Sequence, residues 1–217
     1  MSDFPADSKV TVILFDVGGV LLTNGWDHRE RAAVYAHFGL TAEEQSAIEA
    51  RHPEPNDAWE RDAIPTSQYL DQVVFFAARS FTRDQFYAQM QAVSLPLQNS
   101  AQRTLEALAA SKQVMTGRVV LGLLNNESRD LHEHRMAAYG IGALVRLQFS
   151  SCYLGLRKPD RAIYRRALDI LSVPAQSVLF IDDREENVSA AREVGMQAIR
   201  FTGEAKLQAA LTEQGIL

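Results

Sequence analysis

Short apolar runs recur along most of the chain and are separated by stretches with the 3.6-residue period of helices. The runs Val10–Phe15, Val119–Leu124 and Val178–Ile181 are continuous and contain several β-branched residues. Such runs are typical of strands buried on both faces of a parallel sheet. Leu144–Phe149 and Ala198–Phe201 are weaker strand candidates. Because strands alternate with helices, the pattern predicts an α/β fold with a doubly wound, Rossmann-like parallel sheet. The predicted helices of this part are Ala101–Ala110, Arg129–Tyr139, Arg161–Leu171 and Val188–Val194.

The segment from residue 24 to residue 95 interrupts this alternation, because it contains no buried strand pattern. It predicts helices only, and two of them begin with capping boxes, formed by Thr41 with Glu44 and by Thr82 with Gln85. Pro53, Pro55 and Pro65 are predicted to lie in the loops between them. The predicted helices are Asp27–Phe38, Thr41–Ala50, Thr66–Ala78 and Thr82–Val93. We therefore expect an α/β core of residues 1–23 and 96–217, with an all-helical cap of residues 24–95 inserted after the first strand.

Composition excludes several classes of protein. The chain has 217 residues, 47% hydrophobic residues and a formal net charge of −5, and it has no basic block that would attract nucleic acid. No apolar run is long enough to span a bilayer, and the N-terminal residues lack the pattern of a secretory signal. A single cysteine, Cys152, excludes an intramolecular disulfide. We expect a cytoplasmic protein with no nucleic-acid or membrane partner.

Polar residues follow each of the three strongest strands. Asp16 and the glycines Gly18 and Gly19 follow the first strand, Asn125 and Asn126 follow the second, and Asp182 and Asp183 follow the third. Lys158 and Pro159 precede a predicted helix, with Pro159 expected as its first residue. Ligands of open parallel sheets bind at the carboxyl ends of the strands, so these side chains are expected to meet in one crevice.

Three crowded carboxylates repel one another and need a cation. Oxygen ligands suit Mg²⁺, which binds through carboxylates together with a substrate phosphate. Lys158 would supply a fixed positive charge to the phosphate, and an aspartate beside the metal and the lysine can attack phosphorus. Gly18 and Gly19 allow a tight turn that brings backbone amides to the phosphate, and the Gly18 carbonyl is a further metal ligand. The sequence therefore predicts a magnesium-dependent site for a small phosphorylated metabolite.

The stretches FDVGGVLL, LGLLNNES, LRKPD and FIDDREEN resemble, in order and spacing, the four motifs of the haloacid dehalogenase-like (HAD) hydrolase superfamily. Within it the chain looks most like small bacterial sugar-phosphate phosphatases of the glucose-1-phosphate type, which carry an Asp-x-Gly first motif. The resemblance implies that Asp16 is the nucleophile and a metal ligand, that Asp183 binds the metal directly, and that Asp182 holds the metal or its water. It also implies that Lys158 neutralises the phosphoryl group and that Asn187 ties the metal loop together.

Two positions depart from the pattern of that superfamily. Asn125 stands where Ser or Thr is usual, and its amide is expected to donate to a phosphate oxygen, with Asn126 as the alternative register. Gly18 stands where many phosphatases of the superfamily have a second Asp that acts as general acid. Either the substrate has a good leaving group, or the acid comes from elsewhere, with His28 as a candidate, or the reaction needs no acid.

Other reactions fit the sequence less well. The dehalogenase branch resembles Asp-x-Tyr at the first motif and needs no metal, and a phosphonatase needs a cap lysine, whereas residues 24–95 contain none. A phosphomutase would need an acid–base residue at Gly18. We therefore predict a Mg²⁺-dependent phosphatase that hydrolyses a small phosphomonoester through a phospho-Asp16 intermediate. The alternative is a catalytically impaired member that binds a phosphometabolite or acts as an interaction protein.

The remaining candidate residues are assigned structural roles. His132 and His134 lie two apart on a predicted helix and are interpreted as surface residues. Cys152 is expected to be a buried, inert thiol. Arg157 is interpreted as structural, and the aromatic residues of the predicted cap are expected to pack in its core at least as readily as in a substrate pocket. These aromatic residues are Trp26, Trp59 and Tyr69.

Overall fold

The computed structural model describes residues 9–217. Its centre is a five-stranded, wholly parallel sheet in the order β3-β2-β1-β4-β5. The order reverses beside β1, because the chain runs outward through β2 and β3 and returns to add β4 on the other side. The predicted doubly wound α/β fold is confirmed. The strands are β1 (Val12–Phe15), β2 (Val120–Asn125), β3 (Leu147–Ser150), β4 (Val178–Asp182) and β5 (Gln197–Arg200).

The central strand is buried on both faces. Val12 and Leu14 of β1 pack in one hydrophobic cluster, whereas Ile13 and Phe15 pack in another on the opposite face. This alternation follows from the two-residue period of a strand, and it explains why the whole run is apolar. At Gly122 of β2, a Cβ atom would lie 2.8 Å from Cβ of Leu147 and 2.9 Å from Cδ2 of Leu14, so the sheet leaves no room for a side chain there.

Helices cover both faces of the sheet. One cluster contains residues of α6, α8 and α12, and the other contains residues of α10 and α11. The structure adds α7, α9 and α12 to the predicted helices, and α11 begins three residues before its predicted start. The helices outside residues 24–95 are α6 (Gln102–Ala109), α7 (Lys112–Met115), α8 (Arg129–Ala138), α9 (Ser151–Leu154), α10 (Arg161–Leu171), α11 (Glu185–Glu193) and α12 (Glu204–Glu213).

Five helices lie between β1 and α6, and we call residues 24–95 the helical segment. Their buried aromatic and aliphatic side chains form a third hydrophobic cluster, which includes Trp26, Trp59 and Tyr69. Both predicted capping boxes are present. The helices are α1 (His28–His37), α2 (Ala42–Arg51), α3 (Pro53–Glu60), α4 (Thr66–Val73) and α5 (Arg83–Ala92).

Three expectations about prolines and helix ends were wrong. Pro53 and Pro55 lie in the first turn of α3, not in a loop, because the first helical turn needs no backbone N–H donor and tolerates proline. Helix α4 ends at Val73, five residues before its predicted end. Pro159 follows a cis peptide bond and precedes the helix, since α10 begins at Arg161 with Asp160 as its N-cap. Within the described residues, no helix is both long enough and apolar enough to cross a membrane.

Candidate active site

The predicted carboxylates converge where the strand order reverses. Asp16 directly follows β1, Asp182 ends β4 and Asp183 follows it. One carboxylate oxygen from each lies within 4.8 Å of the others. This is the crevice at the carboxyl ends of the strands where ligands of open α/β sheets bind. The three residues therefore form an acidic cluster built from two neighbouring strands.

Lys158 joins two members of this cluster. Its Nζ atom lies 2.9 Å from Oδ1 of Asp16 and 2.7 Å from Oδ2 of Asp182. The side chain of Lys158 is almost fully buried. Burial alone lowers the pKa of a lysine, but the two carboxylates outweigh burial and raise the pKa of Lys158. Lys158 is therefore a fixed cation at the centre of the cluster.

Asp16 is held by its Oδ1 atom. Oδ1 accepts a hydrogen bond from the amide of Val17 at 2.7 Å as well as the contact with Lys158. No described residue donates a hydrogen bond to Oδ2. Burial and the negative charges of Asp182 and Asp183 raise the pKa of Asp16 to about 8, despite the opposing effect of Lys158. A single lysine therefore does not neutralise the three carboxylates of the cluster.

Asp182 and Asp183 have different surroundings. Both oxygens of Asp182 are occupied, because Oδ2 contacts Lys158, Oδ1 accepts from the amide of Arg184 at 2.8 Å, and Nδ2 of Asn187 lies 3.0 Å from each. Burial disfavours the charge of Asp182, but these donors outweigh it and lower the pKa. Asp183 is half-buried, and its Oδ1 atom is buried without a hydrogen-bond partner. Burial and the charge of Asp182 raise the pKa of Asp183.

The two glycines after Asp16 serve different purposes. Gly19 has a φ of +70°, and a Cβ atom on it would lie 2.5 Å from Cγ of Asp183. Gly19 therefore makes room for that carboxylate, whereas its own amide already donates to the carbonyl of Leu22 at 2.8 Å. At Gly18, no described residue donates to the carbonyl oxygen or accepts from the amide. Both backbone groups of Gly18 are therefore available to a ligand.

The two asparagines after β2 differ in position. Asn126 lines the cavity above the cluster, and its side chain pairs with the backbone of Lys158 through two hydrogen bonds of 2.9 Å. Asn125 is fully buried, and its Nδ2 atom lies 3.3 Å from Nδ1 of His132. Its Oδ1 atom is buried without a partner. Asn126 thus holds the backbone of Lys158 in place, and the side chain of Asn125 is held by the ring of His132.

The surface assignment of His132 was wrong. His132 is fully buried and connects Asn125 to Gln148, whose Oε1 atom lies 2.9 Å from Nε2 of the histidine. Burial lowers the pKa of His132, although the hydrogen bond to Oε1 of Gln148 opposes this shift. The spacing from His134 predicts that the two histidines point to different faces, which is correct, but it does not show that one face meets the sheet.

Other assignments from the sequence agree with the structure. Cys152 is buried, and burial raises the pKa of its thiol to about 11. Arg157 has a structural setting, because it contacts Asp57 at 2.9 Å and Glu60 at 2.6 Å. His28 does not lie at the site: its side chain is 71% exposed, contacts Asp27, and does not line the cavity above the cluster.

The acidic cluster opens into a cavity of about 390 Å³ between the strand ends and the helical segment. Trp26, Arg31, His52 and Asn56 contribute to its wall from the helical segment, and Asn24 from the connection before α1. Of these five residues, the sequence indicated only Trp26 as a possible pocket residue. His52 and Asn56 are four residues apart in a short stretch that contains Pro53 and Pro55. This spacing would place them on one face of a helix, but the prolines predict a loop.

The comparisons with known proteins agree with this architecture. The model of the family described as haloacid dehalogenase-like hydrolase matches residues 10–195. The chain belongs to this family, and the predicted family and hydrolase class are confirmed.

Two curated relatives align over most of the chain. Flavin mononucleotide hydrolase 1 of Arabidopsis thaliana is 27% identical over 208 residues, which is 96% of this chain and 79% of the relative. Phosphatase MT3486 of Mycobacterium tuberculosis is 28% identical over 192 residues, 88% of this chain and 86% of the relative. Drimenol cyclase drtB of Aspergillus calidoustus is 41% identical over a shorter stretch of 64 residues. This stretch is 30% of this chain and only 12% of the cyclase.

A solved structure has the same fold. A HAD family enzyme of Bacteroides thetaiotaomicron superposes with a TM-score of 0.74 at 18% identity, covering 90% of this chain and 95% of the other. The same enzyme in complex with magnesium and inorganic phosphate superposes with a TM-score of 0.69 at 17% identity, over 89% and 95% of the two chains. At this level of identity, the similarity shows the fold alone.

Proposed function

We propose that this hydrolase is a Mg²⁺-dependent phosphatase that cleaves a small phosphomonoester through a phospho-Asp16 intermediate. The observation that carries the proposal is the contact of one buried lysine with both Asp16 and Asp182, beside a third carboxylate. The names of the two long relatives, a flavin mononucleotide hydrolase and a phosphatase, support the same reaction class. The substrate would be a small phosphorylated metabolite.

The donor set fits a divalent cation. With one lysine, three ionised carboxylates leave two negative charges uncompensated, and a divalent cation would balance them. The unpartnered Oδ1 atom of Asp183 is a free oxygen donor, and hard cations prefer such ligands. We assign Asp16, Asp183 and the Gly18 carbonyl as ligands, and Asp182 would hold the metal or its water. When bound, Mg²⁺ would neutralise phosphate charge and polarise the phosphoryl group. The magnesium complex of the Bacteroides enzyme supports this choice of ion.

Each residue of the site would then have its own role in the reaction. The unpartnered Oδ2 atom of Asp16 attacks phosphorus, and the bond to the leaving oxygen breaks with its electron pair. Lys158 and the Gly18 amide stabilise the negative charge on the phosphoryl oxygens. In the second step, water attacks phosphorus and releases phosphate and the free Asp16 carboxylate. Asn187 and Asn126 hold Asp182 and Lys158 in place. Asn125 remains assigned as a phosphate contact, through the second hydrogen of its amide.

The proposed division into domains assigns residues 24–95 to a helical cap. The two crossings between cap and core lie side by side, because Thr23 donates its amide to the carbonyl of Leu95 at 2.9 Å, and the Leu95 amide donates to Oγ1 of Thr23 at 3.0 Å. A segment whose two ends are adjacent can move over the site as one body. The cap would exclude water during attack by Asp16 and admit one for hydrolysis. A cytoplasmic location without nucleic-acid or membrane partners remains part of the proposal.

The test measures phosphate release from sugar phosphates, p-nitrophenyl phosphate and acetyl phosphate, with Mg²⁺ and with EDTA. We expect Mg²⁺-dependent turnover that is lost in Asp16→Asn. Asp169→Asn is the matched control, because Asp169 is an exposed aspartate on α10 with no side-chain partner among the described residues. Turnover that survives EDTA or Asp16→Asn would contradict the proposal. Binding of phosphorylated ligands without any turnover would support the alternative, a phosphometabolite-binding protein.

A further inference from the structure

The cavity wall that faces the acidic cluster contains polar atoms without partners. His52 and Asn56 line this wall, and both are more than nine-tenths buried. The two residues are one turn apart, since the amide of Asn56 donates to the carbonyl of His52 at 2.9 Å. Side chains four residues apart on a helix lie on the same face. A donor or acceptor on one is therefore close to a donor or acceptor on the other.

The hydrogen bonds of His52 fix which ring nitrogen carries the proton. The indole Nε1 of Trp26 can only donate, and it lies 2.6 Å from the hydroxyl oxygen of Tyr69. The hydrogen of the Tyr69 hydroxyl is then left to donate, and Nδ1 of His52, at 2.8 Å, is its one acceptor among the described residues. Nδ1 is consequently unprotonated, and the proton of the neutral ring sits on Nε2. Burial, reinforced by the charge of Arg31, lowers the pKa of His52 to about 4, so the ring is neutral at neutral pH.

Asn56 presents the complementary group. Its Nδ2 atom donates to Oε1 of Glu60 at 3.2 Å, and a carboxylate can only accept, so the amide orientation is fixed. The Oδ1 atom of Asn56 is buried and has no hydrogen-bond partner. Nε2 of His52 has none among the described residues either. The wall therefore offers one neutral donor and one neutral acceptor.

The positively charged side chains of this cavity are already paired. Arg31 contacts Glu49 through two hydrogen bonds of 2.8 Å and donates to the carbonyl of Trp26 at 2.9 Å. Arg157 pairs with Asp57 and Glu60, and Arg184 pairs with Asp27 at 2.7 Å. Glu186, which also lines the cavity, is exposed and negative. A carboxylate or a second phosphate on the leaving group would find no unpaired cation among the described residues that line the cavity.

We propose that His52 and Asn56 form the subsite for the leaving group, and that this subsite selects uncharged, polyhydroxylated alcohols. A hydroxyl group both donates and accepts, so two neighbouring hydroxyls satisfy Nε2–H of His52 and Oδ1 of Asn56 together. An apolar leaving group of the same size leaves both atoms buried and unpaired, which disfavours its binding. The inference rests on the proposed phosphatase function, and it narrows the substrate to phosphate esters of the sugar or polyol type.

The test compares glucose 1-phosphate with cyclohexyl phosphate, which has a ring of similar size without hydroxyls. The readout is the ratio of the two kcat/KM values in the wild type, His52→Leu and Asn56→Leu, because the intrinsic difference between the leaving groups cancels between variants. We expect each variant to lower the ratio about tenfold by loss of one hydrogen bond. His37→Leu, which removes an exposed histidine of the same helical segment, is the matched control and should leave the ratio unchanged.

A binding measurement separates this inference from the proposed function. Titration of both esters into Asp16→Asn, with and without Asn56→Leu, reports selectivity without turnover. If the wild type releases no phosphate but Asn56→Leu abolishes preferential binding of glucose 1-phosphate, the phosphatase proposal fails and the subsite stands. If the ratio of the two kcat/KM values stays within twofold of the wild-type ratio in both variants, the subsite proposal is wrong. This includes the case in which a variant loses the same activity on both esters. Thermal unfolding identifies a variant that fails to fold, and the other variant then carries the test.

Discussion

The side chain of Asn24 fills the space beside Gly18. A Cβ atom built on Gly18 would lie 3.1 Å from Oδ1 and 3.3 Å from Cα of Asn24. The first atom of an acidic side chain at position 18 would therefore press against Asn24. We therefore expect an acid at position 18 to fit better when the side chain of Asn24 is shortened.

Gly18→Asp alone is expected to lower activity, because the new side chain displaces Asn24 or the turn that holds Asp16. Gly18→Asp with Asn24→Ala removes the closer contact and gives the acid room. General acid catalysis contributes about 10²–10⁴-fold, and it matters most for poor leaving groups. We expect the double variant to exceed the single one by at least tenfold in kcat/KM on a primary alkyl phosphate, with little difference on p-nitrophenyl phosphate. An equal gain in Asn24→Ala alone would contradict this explanation.

Gly19→Ala is expected to displace the Asp183 carboxylate and reduce activity by about 100-fold or more. The reason is steric, since the new methyl group would overlap that carboxylate. Gly39→Ala is the matched control, because Gly39 also has a positive φ, +63°, but has open space where its Cβ would lie. Both variants suffer the backbone strain, and only Gly19→Ala disturbs the site. Stabilisation by Mg²⁺ in thermal unfolding should disappear in Gly19→Ala and persist in Gly39→Ala; the opposite result would exclude a steric role of Gly19 at Asp183.

The fold and the acidic cluster were readable from the sequence because their signals are local. A strand buried on both faces is a continuous apolar run, and the residue that ends it lies at the carboxyl edge of the sheet. Such a run determines where Asp16, Asp182 and Asp183 lie relative to the sheet. Lys158 was placed by its position before the helix Arg161–Leu171, although Pro159 is not the first residue of that helix.

The residues around the cavity could not be found in the same way. His52 and Asn56 reach the site only because α3 packs over it, and α3 was missed because two prolines in its first turn indicate a loop equally well. Asn24 acts through its distance to Gly18, which depends on how the chain leaves the turn after β1. His132 was assigned to the surface because helical spacing shows which residues share a face and does not show what that face meets.

A buried ion pair joins Arg135 of α8 to Glu127, which lies between β2 and α8. Arg135 donates through Nη1 to Oε2 of Glu127 and through Nη2 to the carbonyl of Thr23 at 2.5 Å, and both ionic side chains are almost fully buried. Burial raises the pKa of Glu127, even though Arg135 opposes the shift. Removing one partner of such a pair leaves an uncompensated buried charge and costs about 3–5 kcal/mol.

We expect Arg135→Met to destabilise the protein by about that amount in urea unfolding at pH 7. Adding Glu127→Gln removes the orphaned charge and should restore at least about 1 kcal/mol. Arg146→Met serves as the control for loss of an arginine, since Arg146 is exposed and has no ion pair among the described residues. A double variant no more stable than Arg135→Met would mean that Glu127 carries no uncompensated charge in the folded Arg135→Met variant, and would contradict this explanation.

The depressed pKa of His52 makes stability depend on pH. The pKa is about 4 in the folded protein against 6.5 for an unperturbed histidine, so the unfolded chain binds the extra proton first as pH falls. Stability should therefore be complete above about pH 6.5 and decline towards pH 4. The shift corresponds to a loss on the order of 3 kcal/mol at most.

His52→Gln removes this titration, so we expect its stability to fall less steeply between pH 6.5 and 4.5 than that of the wild type. The measurement is urea unfolding in EDTA at several pH values, and the comparison of slopes cancels the constant effect of losing the hydrogen bond from Tyr69. His132 is also buried with a lowered pKa, so some dependence on pH will remain in the variant. His37→Gln, at an exposed position, should retain the wild-type slope. Identical slopes in the wild type and His52→Gln would show that the pKa of His52 is the same in the folded and unfolded states, which would contradict a pKa lowered by burial.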